Sequence, residues 1–397
     1  MYGSSSQPVP DQPKFVSAIP DYLASPRTVP ARCPVGHVAP IVNNAATFSP
    51  SLSESVLFIV GAQAHAGGLA YDVLDGPRSF FAGAVEPASS SPLAPGSSES
   101  EDVTRADGPV TLDVAASTDA AGRETRAILA YFRSRAAMTA WRAAGFEKWW
   151  TDPARERDGE EGYGWFLEVL VPSADRRETI ISNPEGQREG VAVLAEGTCG
   201  PLFEGGYRGA SRDRLAVSQN DSLLGEGEGG PETVDPHAKD QENDSPSLVR
   251  TGRVQVRGQK NLCVIRSGQD WRGGGDEERA NYPSIQRSLL HAMDDLREHA
   301  RELGCHGIRF MTVLDNDVEP TDRTFGLAYF ASLTQLEDWA ATRPAHLDVV
   351  HRFVKYATER HGNISVRLWH EIYVLEPSMQ EFEYINCAPG GGVLGVS

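Results

Sequence analysis

The amino-acid sequence predicts an α+β fold made of two similar, ferredoxin-like halves, each with helices on one face of a mainly antiparallel sheet. An internal repeat is the first observation. Residues 129–143 read LAYFRSRAAMTAWRA and residues 327–341 read LAYFASLTQLEDWAA, so the two segments agree at a constant offset of 198 positions. The second observation is the order of elements in the later half, helix, strand, strand, helix, helix, strand, which is typical of such sandwiches.

Each element is predicted from the spacing of apolar residues and from the residues at its ends. Ile285, Leu289 and Met293 recur at helical spacing, with Pro283 before the start and Gly304 as a stop. The later half is predicted to contain that helix from 284, strands at 308–314 and 325–330, a helix capped at 332, a helix at 346–360 and a strand at 365–375. The earlier half is predicted to contain strands at 56–63, 126–132 and 165–171 and a helix at 134–146. Two such sheets packed face to face would form a pseudo-two-fold unit whose interior could hold a cofactor.

Composition predicts where the chain divides. Residues 86–122 are rich in Ser, Pro, Ala and Asp, and residues 220–250 are acidic and interrupted by Gly and Pro. Segments of this kind bury too little apolar surface to offset the entropy lost on ordering. The predicted division is an N-terminal extension (1–45), a first half (46–219) with a low-complexity insertion near 86–122, an acidic disordered linker (220–250), a second half (251–387) and a C-terminal tail (388–397).

The overall charge limits the partners. A chain of 397 residues with a formal net charge of −18 repels phosphate backbones and anionic lipid surfaces on average. We therefore expect neither nucleic acid nor membrane as a partner. The longest apolar stretch, near 56–62, is far shorter than the roughly 20 residues that a membrane-spanning helix needs.

The cysteines indicate a reducing compartment. Cys33, Cys199, Cys263, Cys305 and Cys387 are odd in number and widely separated, and no two form a CxxC pair. This pattern disfavours a disulfide framework or a zinc ribbon. The N-terminal 14 residues lack the apolar core of a secretory signal, so we expect a cytoplasmic protein.

Two histidines of the later half distinguish it from the earlier half. His346 shares a helix face with apolar residues, and His370 shares a strand face with Ile372 and Val374. Alignment of the two halves places Lys148 and Leu167 at the equivalent positions. Because a packing role should recur in both copies, the asymmetry favours a site in the later half, although two hydrogen-bonded core histidines remain the alternative.

Such a pair suits metal or haem ligation by one imidazole and proton transfer by the other. Zinc is less favoured, because the sequence has no HExxH motif and no suggestive spacing for a third ligand. Cys33, followed by Pro34, is a weaker alternative as a thiolate ligand of haem.

Five ordered segments carry a resemblance to a known family. They are GYRGASRDRLAVSQND (206–221), VIRSGQDW (264–271), PAHL (344–347), RLWHE (367–371) and FEYINC (382–387). Together they resemble the haem-dependent aldoxime dehydratases, a family that includes phenylacetaldoxime dehydratase. With gaps at the two low-complexity segments, the similarity extends from about Pro26 to Cys387.

The resemblance implies a lyase that removes water from an aldoxime, R–CH=N–OH, to give a nitrile. It implies a ferrous b-type haem in a dimeric, barrel-like α+β fold, with a small-molecule aldoxime as substrate. His346 would be the proximal iron ligand and His370 the distal acid and base. Ser267 would hydrogen-bond the oxime oxygen, Arg214 resembles the family's distal arginine, and Glu178 resembles a carboxylate coupled to it.

The implied chemistry is consistent with general principles. Hydroxide is a poor leaving group, so the N–O bond needs a proton at its oxygen, and electron-rich iron assists its breaking. Two other functions remain open at this stage: a haem peroxidase or chlorite-dismutase-like enzyme, and a haem-binding protein without turnover.

Overall fold

The computed structural model describes residues 15–81, 108–186, 188–225, 233–234 and 249–394. The strands are β1 (Ala45–Thr47), β2 (Val56–Ala64), β3 (Thr111–Thr118), β4 (Glu124–Phe132), β5 (Tyr163–Leu170), β6 (Arg177–Ile181), β7 (Gly197–Cys199), β8 (Thr233–Val234), β9 (Arg253–Val256), β10 (Leu262–Asp270), β11 (Cys305–Leu314), β12 (Pro320–Phe330), β13 (Arg367–Leu375) and β14 (Gln380–Ile385). The α-helices are α1 (Asp75–Arg78), α2 (Arg135–Trp141), α3 (Glu147–Trp150), α4 (Ala154–Arg157), α5 (Ala210–Arg214), α6 (Asp276–Glu298), α7 (Leu333–Thr342) and α8 (Pro344–Glu359). A π-helical turn (Arg142–Phe146) joins α2 to α3, and short 3-10 helices lie at Asp21–Leu23, Ser79–Phe81, Asp158–Glu161, Ala174–Arg176, Gly190–Leu194, Ala216–Gln219 and Pro377–Met379.

A single 12-stranded antiparallel sheet forms the centre of this mixed α/β fold. Its strand order is β6-β13-β10-β12-β11-β3-β4-β2-β5-β14-β9-β8, and β1 and β7 form a separate two-stranded sheet. The prediction of two separate sheets is therefore wrong, although the inner faces of the two halves do pack against each other in one buried cluster. The halves join edge to edge, where Ala116 of β3 pairs with Thr312 of β11, because an unpaired edge strand leaves backbone hydrogen-bonding groups unsatisfied.

The two halves repeat one strand order within this sheet. The order is β5-β2-β4-β3 in the earlier half and β13-β10-β12-β11 in the later half. Each half also pairs with a strand from the other, because β6 lies beside β13 and β14 lies beside β5. The sheet thus cannot be cut into two independent units at the predicted linker.

The inner face of the curled sheet is filled by side chains from both halves. Leu129 and Leu327, which are equivalent in the repeat, belong to one buried cluster. Inside this cluster, Glu168 accepts a hydrogen bond from the Tyr329 hydroxyl (2.5 Å), and Glu371 accepts one from the Tyr131 hydroxyl (2.5 Å). Each half therefore supplies the carboxylate that binds the other half's tyrosine. An interior packed in this way has no room for a large cofactor, so the candidate site must lie on the outer face.

Helices cover the outer face of each half. α2, the π-helical turn and α3 pack on the earlier half through Met138, Phe146 and Trp150. α6 and α7 pack on the later half through Leu296, Leu336 and other apolar side chains. α8 packs against α6 and follows α7 after a sharp corner, so it forms the outermost layer above the later half.

The predicted start of the long helix at 284 is wrong, because α6 begins at Asp276 and continues through Pro283. Proline in a helix interior costs about 3 kcal/mol, since it removes a hydrogen bond and crowds the preceding turn. Contacts before the proline offset this cost. The Glu278 carboxylate accepts hydrogen bonds from the Tyr356 hydroxyl (2.7 Å) and the Ser365 backbone N–H (2.8 Å).

The insertion predicted near 86–122 contains a central strand, β3, which the sequence analysis missed. Its polar composition concealed it. Asp113 is buried there because Arg266 and Arg323 donate hydrogen bonds to its carboxylate at 2.7 and 2.9 Å. Residues 86–107 of the predicted insertion lie outside the described residues.

The predicted linker and tail also contain packed residues. Leu223 is fully buried, and residues 233–234 pair with β9 at the edge of the sheet. Residues 226–232 and 235–248, the remainder of the predicted disordered linker, lie outside the described residues. In the predicted C-terminal tail, Val393 and Leu394 are buried in the interior cluster, so this segment belongs to the core. No helix among the described residues is both long and apolar enough to cross a membrane.

Candidate active site

Strand register brings two predicted site residues together on the outer face of the later half. Ser267 of β10 lies directly opposite His370 of β13. Both share the sheet face of Cys263 and Ile372, which are buried under the helices. Ser267 is nevertheless exposed, and the His370 side chain is 23% exposed. Because Ser267 lies on a central strand, its exposure shows that the helical layer is open above this part of the sheet face.

Glu178 and Arg214 complete a hydrogen-bonded group with His370. The Arg214 guanidinium donates two hydrogen bonds to the Glu178 carboxylate, each 2.9 Å long. His370 Nε2 lies 3.1 Å from Glu178 Oε1 and 3.4 Å from Arg214 Nη2. Glu178 comes from β6, which pairs with β13, whereas Arg214 is the last residue of α5. The structure thus joins three residues that are far apart in the sequence.

The charges of this group are mutually stabilised. Burial alone would raise the pKa of Glu178, but the charges of Arg214 and His370 and their hydrogen bonds lower it to about 2. Burial likewise opposes the charge of Arg214, yet the Glu178 carboxylate raises the pKa of Arg214. Glu178 therefore stays anionic at neutral pH and accepts hydrogen bonds from both partners.

We predict a specific loss of stability in acid from this carboxylate. Because the pKa of Glu178 falls from its ordinary value of 4.5 to about 2 on folding, its stabilising effect is complete above pH 4.5 and is lost as the pH falls toward 2. The expected effect is on the order of 3 kcal/mol of unfolding free energy. Urea unfolding as a function of pH measures it. Glu178→Gln should not lose this stability in acid. Glu359→Gln, at an exposed position of α8, is the control and should lose stability in acid as the parent does. Equal pH profiles for the parent and both variants would contradict the prediction.

His346 lies in the helical layer above this sheet face. It occupies the first turn of α8, after the corner that α7 and Pro344 form. His346 Nδ1 lies 2.8 Å from the Ala340 carbonyl oxygen, which can only accept, so Nδ1 carries the proton. The Trp339 ring packs against the imidazole at 4.5 Å between centroids. Burial lowers the pKa of His346, so the ring is neutral and Nε2 keeps its lone pair.

This geometry fits a haem iron. Neutral imidazole with its other nitrogen bonded to a backbone carbonyl is a common arrangement for a metal ligand, because that bond fixes the ring orientation. Leu347, Val350 and Val354 form an apolar stripe beside His346, and each is more than 40% exposed. An apolar macrocycle next to α8 would cover such a stripe. Within the described ranges, no group of three or more His, Cys, Asp or Glu side chains is placed to hold a metal ion.

The structure places the five predicted residues in two groups. His370, Glu178 and Arg214 contact one another and Ser267 is adjacent, whereas His346 stands in the helical layer above the same sheet face. Cys33, the alternative thiolate ligand, lies on the N-terminal segment, where its backbone N–H donates to Asp213 (2.9 Å).

A groove of about 690 Å³ lies elsewhere, between α6 and the strands β3 and β11, and none of the five predicted residues lines it. We place the site at the histidines because the lining of this groove contains neither histidine nor cysteine.

Sequence reasoning missed two residues that support the site. Trp339, which lies within the repeated segment 327–341, packs on His346. Its equivalent in the earlier half, Trp141, donates its indole N–H to the Phe80 carbonyl (3.0 Å), whereas the Trp339 N–H is buried without a partner among the described residues. Ser211 accepts a hydrogen bond from Arg214 Nη2 (3.1 Å). The Trp339 position could have been noticed, because it precedes the unmatched histidine by seven residues, but nothing in the sequence marks Ser211.

The mixed α/β fold, with His346 in the helical layer and His370 on the sheet face beneath that layer, fits the class of haem-dependent enzymes, in which one imidazole holds iron and polar groups act on the bound ligand. A family model described as haem-containing dehydratase matches residues 98–393. The chain belongs to this family, as its sequence motifs predicted, and the family's name supports a haem cofactor.

Individual relatives agree with this assignment. An aliphatic aldoxime dehydratase of Pseudomonas chlororaphis is 32% identical over 380 residues, which cover 95% of this chain and 97% of the relative. A phenylacetaldoxime dehydratase of Bacillus sp. (strain OxB-1) is 29% identical over 292 residues, which cover 72% and 78% of the two chains. A crystal structure of an aldoxime dehydratase in complex with butyraldoxime is 29% identical, has a TM-score of 0.77 and aligns over 98% of each chain.

Proposed function

We propose that the protein is a lyase that dehydrates aldoximes to nitriles, with haem held by His346 and with His370 as the acid and base. The hydrogen-bonded group of His370, Glu178 and Arg214 beside Ser267 carries this proposal. Peroxide chemistry needs no serine beside a distal histidine, whereas an oxime needs both an oriented hydroxyl and a proton donor. Relatives named as aldoxime dehydratases over nearly the full chain support the same function.

The protein's residues have separate tasks in the reaction. Haem, when bound, supplies an electron-rich iron that promotes cleavage of the N–O bond. Ser267 hydrogen-bonds the oxime oxygen and thereby directs it toward His370 on the neighbouring strand. His370 donates a proton to the departing oxygen, which leaves as water, and then accepts the proton released from carbon. Glu178 and Arg214 hold the imidazole in place and balance its change of charge.

Three finer features belong to the same proposal. We infer that the two halves are ferredoxin-like repeats, supported by their common strand order and by the 198-residue offset. We expect a homodimer in the cytoplasm, supported by the resemblance and by the scattered free cysteines. The boundaries at 46–219 and 251–387 mark the repeats, although the sheet is continuous across them.

One experiment tests the function directly. The haem-loaded protein, reduced with dithionite under anaerobic conditions, is mixed with butyraldoxime or phenylacetaldoxime while its absorption spectrum and nitrile formation are followed. We expect a spectral change on binding and nitrile as the product with at least one substrate. Peroxide-dependent dye oxidation without nitrile would support the peroxidase alternative. Haem binding with neither activity would support a binding protein.

We predict that Ser267→Ala lowers turnover about fivefold, because one orienting hydrogen bond is worth roughly 1 kcal/mol. Haem content should not change, since Ser267 lies on the sheet and not beside His346. Steady-state kinetics per bound haem measure the effect. Ser378→Ala, at an exposed position, is the matched control and should retain full turnover. Unchanged kinetics in Ser267→Ala would refute the orienting role.

A further inference from the structure

The N-terminal segment, residues 15–44, packs along the loop that carries Arg214. Val16 bridges Leu202, and the Leu202 backbone N–H donates to the Asn43 carbonyl (2.9 Å). Farther along, the Thr28 backbone N–H donates to the Gln219 carbonyl (2.9 Å). The segment therefore contacts this loop on both sides of α5, although its sequence predicted only an extension.

The first connection to Arg214 is its neighbour Asp213. Asp213 is 2% exposed, and a carboxyl group buried to this extent needs hydrogen-bond partners. Its carboxylate accepts the backbone N–H groups of Arg32 (2.9 Å) and Cys33 (2.9 Å) and the hydroxyl of Tyr207 (2.8 Å). These bonds tie residues 32–33 to the helix that ends in Arg214.

The second connection is Glu204. Its backbone carbonyl accepts a hydrogen bond from Arg214 Nη1 (2.8 Å). Its side-chain carboxylate accepts hydrogen bonds from the Ser17 hydroxyl (2.6 Å) and the Ala18 backbone N–H (3.1 Å). Glu204 thus links the guanidinium directly to residues 17–18 of the N-terminal segment.

We propose that Asp213 and Glu204 are positioning residues, through which the N-terminal segment holds Arg214 against Glu178 and His370. This inference rests on the proposed function, because it assigns the segment to the catalytic site. The backbone of Arg214 is fixed through Asp213, and its guanidinium is fixed through the Glu204 carbonyl. A loss of either connection lets the guanidinium move from the position in which it contacts both Glu178 and His370. Since a displacement of 1 Å at a reacting site can lower a rate about 100-fold, these distant bonds affect catalysis.

The test uses Asp213→Asn in the full-length, haem-loaded protein. The asparagine amide turns an N–H toward the backbone N–H of Arg32, so this connection weakens. We expect kcat to fall between about 10-fold and 100-fold, whereas haem content and the Kd for the aldoxime, measured by spectral titration, stay unchanged. Carbon monoxide bound to the ferrous haem provides a second readout, because its stretching frequency depends on the charges of the distal pocket. Arg214→Lys serves as the reference variant, because it removes the guanidinium itself. The carbon monoxide frequency of Asp213→Asn should shift in the same direction as that of Arg214→Lys.

A double-mutant cycle separates positioning from general damage. If Asp213 acts through Arg214, the variant with both Asp213→Asn and Arg214→Lys should be about as slow as Arg214→Lys alone. If the two substitutions instead lower kcat independently, so that their factors multiply in the double variant, the proposal is overturned. Asp315→Asn is the matched control, because Asp315 also accepts two backbone N–H groups (2.9 Å each) but in the turn between β11 and β12. It should retain the parent's kcat and carbon monoxide frequency.

The outcomes distinguish this proposal from the proposed function. If the parent protein forms no nitrile, the proposed function fails, yet the carbon monoxide frequency still reports whether Asp213 positions Arg214. Should Asp213→Asn fail to retain haem, Ser17→Ala removes a single hydrogen bond to Glu204 and should shift the frequency in the same direction. An unchanged frequency in every variant that retains haem would overturn the proposal.

Discussion

His346→Ala should lose most of the bound haem. The imidazole is the candidate iron ligand of the helical layer, and its orientation is fixed by the Ala340 carbonyl and the Trp339 ring. Losing even the outer groups that orient a metal ligand lowers affinity roughly 10- to 100-fold, so losing the ligand itself should exceed that range. Haem content after reconstitution, measured by the absorption of the pyridine complex, gives the result.

Two controls separate ligand loss from unfolding. His351→Ala changes an exposed histidine of the same helix α8 and should bind haem like the parent. His346→Gly leaves a cavity that added imidazole can fill, so imidazole should restore haem binding to that variant. A parent-like haem affinity in His346→Ala would show that another residue, such as Cys33, holds the iron.

His370→Asn should keep haem but lose turnover. Asparagine retains polarity and a donor beside Glu178, yet it has no group that gains and loses a proton at neutral pH. Removing a positioned acid and base lowers kcat by roughly 100- to 10,000-fold. Single-turnover measurement of nitrile formation per bound haem gives the magnitude, and the spectral change on aldoxime binding should persist.

A second strand histidine provides the control for this variant. His306 of β11 is buried and contacts Gln259 (2.8 Å), and burial lowers its pKa to about 4. His306→Gln should therefore leave turnover per haem unchanged. Parent-like turnover in His370→Asn would instead assign the acid role to a group other than His370.

The sequence was sufficient to predict the strands whose apolar residues follow a regular spacing. The strands at 56–63, 126–132 and 308–314 lie within β2, β4 and β11, because alternating or continuous apolar residues mark a buried strand in any context. β3 was missed because Thr111, Asp113 and Ser117 make one of its two faces polar, and the buried Asp113 carboxylate is tolerated because Arg266 and Arg323 lie nearby. Neither arginine is close to it in the sequence.

The site was predictable only in part, again because its residues come from distant parts of the sequence. The absence of His346 and His370 from the first copy indicated a site in the second, and the motifs supplied Ser267, Arg214 and Glu178 by resemblance. Residue spacing alone could not predict the ion pair of Arg214 with Glu178 or the hydrogen bonds of Asp213 with the N-terminal segment, because these contacts join segments more than 30 positions apart.

By itself, the sequence determined the repeat, the kinds of element in each half and the two unmatched histidines, since spacing and residue type are local properties. Only the tertiary structure decided that the halves form one continuous sheet and that the N-terminal segment binds Asp213 and Glu204 beside Arg214. Both results depend on which edge strands and buried charges find partners. Backbone groups and carboxylates must be satisfied wherever they are buried, and those partners come from distant parts of the chain.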